Sequence, residues 1–396
     1  MTLLSFLTLL AAALPFAYLY LLALAALRSR ATRPSSQPRH RFVIAIPAHD
    51  EESVIGRTVG TLMKVDYPAE LYDVAVVADH CSDGTAGEAR RAGATTFERS
   101  EGPRGGKGAA LRWLFDRVLA PPADGRAPYD AVIVFDADTL VSPDFLRVMD
   151  ARLSSGDDAI QGQHRIANPE DGWFPALTWA MFIVDNRLQN QGRSNLGWSA
   201  KNMGDSICIR ADVLRRFGWG EGLTEDYAFR QQLLLEGIRI RYEPAAIGCG
   251  EAALNWEVAR PQRERWLRGT RDARREYAGV LLREGLRRRD AALLDGALQA
   301  YLPSYSTLTV FTLMLWVVHE AFVLLGHPVF LTAWQVLLVS LVAYPLWGLA
   351  LERAPARAYF VILSGPLFIL WRTWLALRAR LGHHGGQWVR TPRRPD

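Results

Sequence analysis

Apolar and polar positions divide the chain into three unequal regions. No charge occurs from Met1 to Leu27, and after Asp295 only Glu320 interrupts the run to Leu351. Both stretches exceed the roughly 20 residues that a helix needs to cross a bilayer. Residues 1–27 therefore read as a transmembrane helix and residues 300–380 as a second membrane region. Within the second, Val310–Leu325 and Val329–Leu351 form a hairpin around Gly326-His327-Pro328. Ala358–Trp371 is short for a crossing and contains Pro366, which suits an interfacial or re-entrant helix. The first stretch lacks the basic start of a signal peptide and is too long for one, so a retained anchor is expected.

Between these regions, residues 41–290 have the polarity of a globular domain, reached through a linker at 28–40 that contains Pro34 and Pro38. Short apolar runs alternate there with helix-like segments. Phe42–Pro47, Tyr72–Ala78 and Ala131–Phe135 read as buried strands, and Glu51–Lys64 as a following helix. Such βα units predict an α/β fold with a mostly parallel sheet, whose ligands bind beyond the carboxyl ends of its strands. Acidic clusters close two of these runs.

Composition sharpens the picture. Of 396 residues 49% are hydrophobic and 22% charged, which excludes disorder. A net charge of +5 is too mild for a nucleic-acid binder, so no nucleic-acid partner is expected. The arginines flank the apolar stretches (Arg28, Arg30 and Arg33; Arg287–Arg289; Arg378 onward into a basic tail at 381–396). That is the positive-inside pattern of cytoplasmic flanks. Cys81, Cys208 and Cys249 lie far apart with no CxxC pair and read as reduced thiols.

Asp136-Ala137-Asp138 carries the strongest local chemistry: alternate residues of extended backbone face one way, so both acids can share a hard divalent cation. Capping of the helix after Pro143 is the plainer alternative. Asp79 ends the second strand, where it can accept from a nucleobase N–H, and Asp83 reads as a helix cap. Arg104-Gly105-Gly106-Lys107 is a basic turn opening a helix, suited to an anion or merely solvated; with Glu101 and Gly108 it is no Walker loop. Thr224-Glu225-Asp226 is either a helix start or the seat of a general base. Gln262, Arg265 and Trp266 share one face of a helix, offering a cation and a stacking platform, or simply an amphipathic surface. His49, His80 and His164 are scattered and read as ordinary.

In this order and spacing the pieces resemble the membrane-bound family 2 glycosyltransferases, which include cellulose, chitin and hyaluronan synthases and ceramide glucosyltransferase. The matching elements are Ile46-Pro-Ala-His-Asp-Glu-Glu52, Asp79 in Val-Ala-Asp-His-Cys-Ser-Asp-Gly-Thr, Lys107 in Gly-Gly-Lys-Gly-Ala, Asp136-Ala-Asp138, Thr224-Glu-Asp226 and Gln262-Arg-Glu-Arg-Trp266. The resemblance implies a GT-A domain using a nucleotide sugar, most often a UDP-sugar, with Mg or Mn. It implies that Asp79 contacts the base, Lys107 the diphosphate, Asp136 the donor and metal, and Asp138 the metal. Asp226 would be the general base of an inverting transfer. Gln262 and Arg265 would close over the diphosphate, with Trp266 and Glu225 on the acceptor side. Asp50 and Ala78 depart from the usual Asn and Asp, and Asn202-Met-Gly-Asp-Ser206 matches the acceptor-side segment only loosely, which leaves Gly204 and Asp205 weakly supported.

A multi-pass protein of the cell (inner) membrane, with its catalytic domain cytoplasmic and a lipid or glycan acceptor, is expected. A long secreted polysaccharide would need a polar tunnel walled by several helices; a lipid or glycolipid acceptor is therefore expected ahead of a processive synthase. A non-catalytic membrane scaffold would have lost the metal acids or the base, and all are present.

Overall fold

The computed structural model describes residues 2–121, 125, 127–302, 304–326 and 330–380. The hairpin turn at 327–329 and the basic tail at 381–396 lie outside the described residues. One sheet of eight strands organises the central region: β1 (Phe42–Ala48), β2 (Tyr72–Asp79), β3 (Thr95–Arg99), β4 (Ala131–Val134), β5 (Leu140–Val141), β6 (Ala159–Ile166), β7 (Ile207–Arg210) and β8 (Ile240–Gly250), in the order β3-β2-β1-β4-β7-β6-β8-β5. Six strands run one way; β7 is inserted antiparallel between β4 and β6, and the short β5 runs antiparallel to β8.

The continuous apolar runs become strands covered on both faces, as parallel strands must be. Phe42, Ile44, Ile46, Val74, Val76 and Ile133 enter one core with Ile55, Val59 and Phe145. Their neighbours Val43, Ala45, Ala75, Val77, Val132 and Val134 enter the opposite core with Leu111, Leu114 and Phe229. The expected helix after β1 spans Glu52–Leu62, and Asp83 accepts from the N–H of Thr85 at 3.0 Å at the start of helix Thr85–Arg91.

Among the described residues, three helices are long and apolar enough to cross a membrane: Leu3–Ala25, Tyr305–Leu324 and Leu331–Leu351. Ala356–Ile362 and Gly365–Arg378 pass the same test only as a pair, bent by 51° at the break between them. One part of the middle region behaves differently from its reading as globular. After β6 the chain forms helix Trp173–Val184, a wider turn at Asp185–Asn190 and helix Gln191–Asn195. Ala180, Val184 and Leu188 share a core with Ala12, Phe16 and Leu19 of the first helix and with Leu341 and Tyr344 of the third membrane-length helix. Gly192 permits that approach, because a Cβ there would stand 2.2 Å from the Leu22 carbonyl oxygen. Asn195 then donates to the carbonyls of Ala25 and Arg28, each at 2.8 Å, and Arg187 donates to Ala26. These donors satisfy carbonyls that the end of the first helix leaves open.

A 33-residue helix, Trp256–Arg288, follows β8; Asn255 caps it, accepting from the N–H groups of Glu257 and Val258 at 3.1 and 3.0 Å.

Candidate active site

The carboxyl ends of β1, β2, β4, β6 and β8 open on one edge of the sheet, and β7 enters from that edge. The loop after β4 carries Asp136 and Asp138. Asp138 is buried and accepts weakly from the Glu251 N–H at 3.4 Å, beyond the end of β8. Asp136 stays half-exposed and is ion-paired with Lys107, whose Nζ also donates to the Gly204 carbonyl at 2.6 Å. Burial disfavours the Lys107 ammonium, but Asp136, Glu225 and Asp205 outweigh it and hold its pKa above the ordinary value.

Asp205, at the entrance to β7, ties this loop down. Its Oδ1 accepts from the Asp136 N–H and the Thr139 hydroxyl, both at 3.0 Å. Its Oδ2 meets His164 Nδ1 at 2.5 Å and accepts from the Ser206 hydroxyl at 3.0 Å. Burial works against the Asp205 charge, yet His164, Lys107 and the Asp136 N–H keep its pKa low. Burial likewise opposes an imidazolium at His164, and Asp205, Asp136 and Asp138 together raise its pKa. His164 thus braces the acid loop, with Asp205 favouring its protonated form, and does not read as ordinary in the fold.

Across the cleft, Thr224 precedes helix Glu225–Leu235. Glu225 is buried: a Cβ on Gly108 would stand 3.0 Å from its Cγ, which explains why glycine follows Lys107. Asp226 is less covered and abuts Gly204, where a Cβ would meet its Oδ2 at 3.1 Å. Burial raises both acids, Glu225 to about 7 with Asp226 adding to the effect, while Lys107 and Arg265 pull them down. Helix Trp256–Arg288 lies directly over this turn, since a Cβ on Gly269 would stand 2.8 Å from the Thr224 nitrogen. It thereby brings the Arg265 charge to the two acids and leaves Gln262 and Trp266 partly exposed alongside.

Asp79 ends β2 farther along the edge. It is buried, and its Oδ1 meets Arg99 Nη1 at 2.6 Å and His80 Nδ1 at 2.9 Å. His80 and Asp50 adopt left-handed backbone, at φ 53° each, and His49 Nδ1 meets the Asp79 carbonyl at 2.7 Å, so the loops after β1 and β2 brace one another.

The structure thus gathers Lys107, Asp136, Asp138, Glu225, Asp226 and Arg265 around one cleft, with Asp79 at a distance along the same edge. Of the bracing residues, Asp205 is only weakly supported by the sequence, His164 reads there as ordinary, and Arg99 is not among the candidates. Asp205 sits in the loosely matching Asn202–Ser206 segment, and the other two carry no local signal at all. For a cation, Asp136 and Asp138 supply the oxygen donors that Mg or Mn prefers. His49, Asp50 and Cys81 also come within 4.8 Å of one another, but burial pushes the Cys81 thiol up and keeps it protonated, which suits a metal poorly.

A family model described as "Glycosyltransferase like family 2" matches residues 38–269. Among curated relatives, a "Probable glycosyltransferase YdaM" of Bacillus subtilis is 28% identical over 245 residues, covering 57% of this chain and 54% of that protein. A "Beta-monoglucosyldiacylglycerol synthase" of Synechocystis is 29% identical over 247 residues, covering 59% and 49%. The chain thus spans about half the length of the curated relatives it matches. Among solved structures, the mannosyltransferase PcManGT from Pyrobaculum calidifontis, in complex with GDP-Man and Mn2+, aligns over 96% of this chain and 97% of its own, with a TM-score of 0.57 at 16% identity. That likeness establishes the GT-A fold.

Proposed function

The chain belongs to the family 2 glycosyltransferases, and on that premise we propose that it transfers a hexose, with inversion, from a UDP-class nucleotide sugar to a hydroxyl of a membrane-embedded lipid or glycolipid. The observation that carries this reading is the placing of Asp226 against Gly204, whose carbonyl also holds Lys107. A base and a diphosphate-binding cation thereby face the same space. The glycolipid-synthase names of several relatives support the lipid acceptor.

In this reading Asp79 receives the nucleobase and Lys107 the diphosphate, with Arg265 and Gln262 closing from the helix above. Asp136 and Asp138 would hold Mg or Mn, which when bound supplies positive charge to the departing diphosphate. Asp205 and His164 position the acid loop and do not touch the reacting atoms. Asp226 accepts the acceptor hydroxyl proton, helped by the burial that raises its affinity for one. Glu225 lies behind it and sets the local charge; Trp266 flanks the acceptor. The domain faces the cytoplasm of a multi-pass inner-membrane protein, anchored by the N-terminal helix and the later hairpin.

Incubating purified full-length protein with a panel of nucleotide sugars and a membrane lipid extract, then mass-analysing the products, tests this. A lipid gaining one or a few hexoses, with release of nucleoside diphosphate, is expected. A high-molecular-weight polymer made from donor alone would replace the reading with a processive synthase.

A further inference from the structure

Arg263 and Arg372 come near enough for one charge to act on the other where helix Trp256–Arg288 approaches helix Gly365–Arg380. The Arg263 guanidinium lies over the Trp266 ring, 4.7 Å from its centre, and 6.0 Å from that of Phe368. Its Nε is shielded from solvent and has no hydrogen-bond partner among the described residues. Burial, reinforced by the charge of Arg372, pushes Arg263 down to about 9. Arg372 itself makes no hydrogen bond or ion pair among the described residues. The charge of Asp185 reaches it, but that carboxylate is already held by Lys201 Nζ at 2.6 and 2.8 Å. Glu264, next along the helix, has Arg260 at 4.0 Å and Arg378 at 3.7 Å from its Oε1, with no hydrogen bond to that oxygen among the described residues. Arg263 therefore has no ion pair among the described residues and Arg372 feels only a carboxylate already held by Lys201, and half-buried cations so placed favour an anion that joins them.

The surroundings indicate which anion. The wall is apolar, built from Phe174, Leu177 and Phe368 with Trp371 packed against them. Trp173, Trp256 and Trp374 are exposed around it, the residue type that settles at lipid-headgroup depth. The donor diphosphate has its own cation in Lys107, across the cleft. Along the helix, Arg263 stands about 9 Å from Gly269, which packs on the residue two before Asp226. A headgroup that carries both an anion and a hydroxyl can bridge that interval.

We propose that the acceptor is an anionic lipid, its headgroup phosphate seated between Arg263 and Arg372 while a free hydroxyl of the same headgroup reaches Asp226. This rests on the glycosyltransferase reading above. In the transfer the lipid oxygen bonds to the anomeric carbon and the bond from that carbon to the diphosphate breaks. The nucleoside diphosphate leaves with the electron pair, and the hydroxyl proton passes to the Asp226 carboxylate.

The test uses the full chain carrying Asp226→Asn, in nanodiscs containing phosphatidylglycerol or uncharged diacylglycerol. Lipid retention is read by native mass spectrometry and UDP affinity by calorimetry. Preferential retention of phosphatidylglycerol is expected. Arg263→Gln and Arg372→Gln should each weaken it about tenfold, with UDP affinity unchanged and Arg263→Lys recovering most of the loss. Equal retention of diacylglycerol, or phosphatidylglycerol retention indifferent to both glutamine variants, overturns the proposal. A folded Arg263→Gln variant that loses UDP affinity also overturns it, assigning the arginine to the donor diphosphate. If Arg263→Gln shows no thermal transition, Arg372→Gln, on a separate helix, decides the question. Retention requires no transfer, so the two readings fail separately: transfer to diacylglycerol without phosphatidylglycerol retention removes only this one.

Discussion

Glu225 and Asp226 are adjacent carboxylates at the start of one helix, and the charge of Asp226 adds to the rise of Glu225. Burial raises both, Glu225 to about 7, and Lys107 is a cation that lowers both. A base works only when deprotonated, so kcat/KM should fall on the acid side as this pair gains protons. Removing the ammonium in Lys107→Met should move that limb to higher pH; a limb that stays put would detach Lys107 from the pair. Asp226→Asn should lower kcat by roughly 10²–10⁴ while nucleotide affinity survives, because a base acts in the transition state more than in the ground state. Turnover near wild type would exclude Asp226 as the base. In Asp138→Ala the donor affinity should cease to depend on Mg or Mn, measured by calorimetry with and without chelator; unchanged metal dependence would place the cation elsewhere.

At the scale of elements, glycines mark where two segments come closer than side chains allow. Gly269 lets the long basic helix lie on Thr224, and Gly192 lets helix Gln191–Asn195 touch the backbone of the first membrane-length helix. The second contact is the tighter one and involves a carbonyl that cannot yield as a side chain would. Gly192→Ala should therefore destabilise the protein by about 1–3 kcal/mol through overpacking, seen as a lower thermal midpoint in detergent. An unchanged midpoint would mean that the two helices part at little cost. β1, β2 and β4 were legible because each is largely an apolar run, as two covered faces require, whereas strands such as β3, β6 and β8 carry polar residues and were not. Nor was helix Trp173–Val184. Eleven apolar residues out of twelve inside a polar domain look like core, and only the assembled molecule shows that their partners are the membrane-length helices.

Over the whole molecule, the described residues give one membrane-length helix before the sheet domain, two after it, and a bent pair. In the proposed topology, with the sheet domain cytoplasmic, the two later helices would return the chain to the cytoplasmic side and a re-entrant bent pair would keep it there. A reporter fused after Asp396 should accordingly read as cytoplasmic. An external reading would make the bent pair a full crossing and would carry the tail arginines outside, against the positive-inside pattern.

The sequence by itself determined what is local and periodic. Apolar runs became membrane-length helices or strands, a glycine-rich basic turn became the helix start bearing Lys107, and paired acids at a strand end became the loop of Asp136 and Asp138. Their chemistry resides in residue type and spacing, which survive without coordinates. Tertiary structure alone decided the pairings across long separations: His164 with Asp205, Arg99 with Asp79, and Arg263 near Arg372. A lone histidine or arginine has no period and no neighbour that marks its role. Its charge acquires meaning only when folding removes water from around it and sets another charge within a few ångströms.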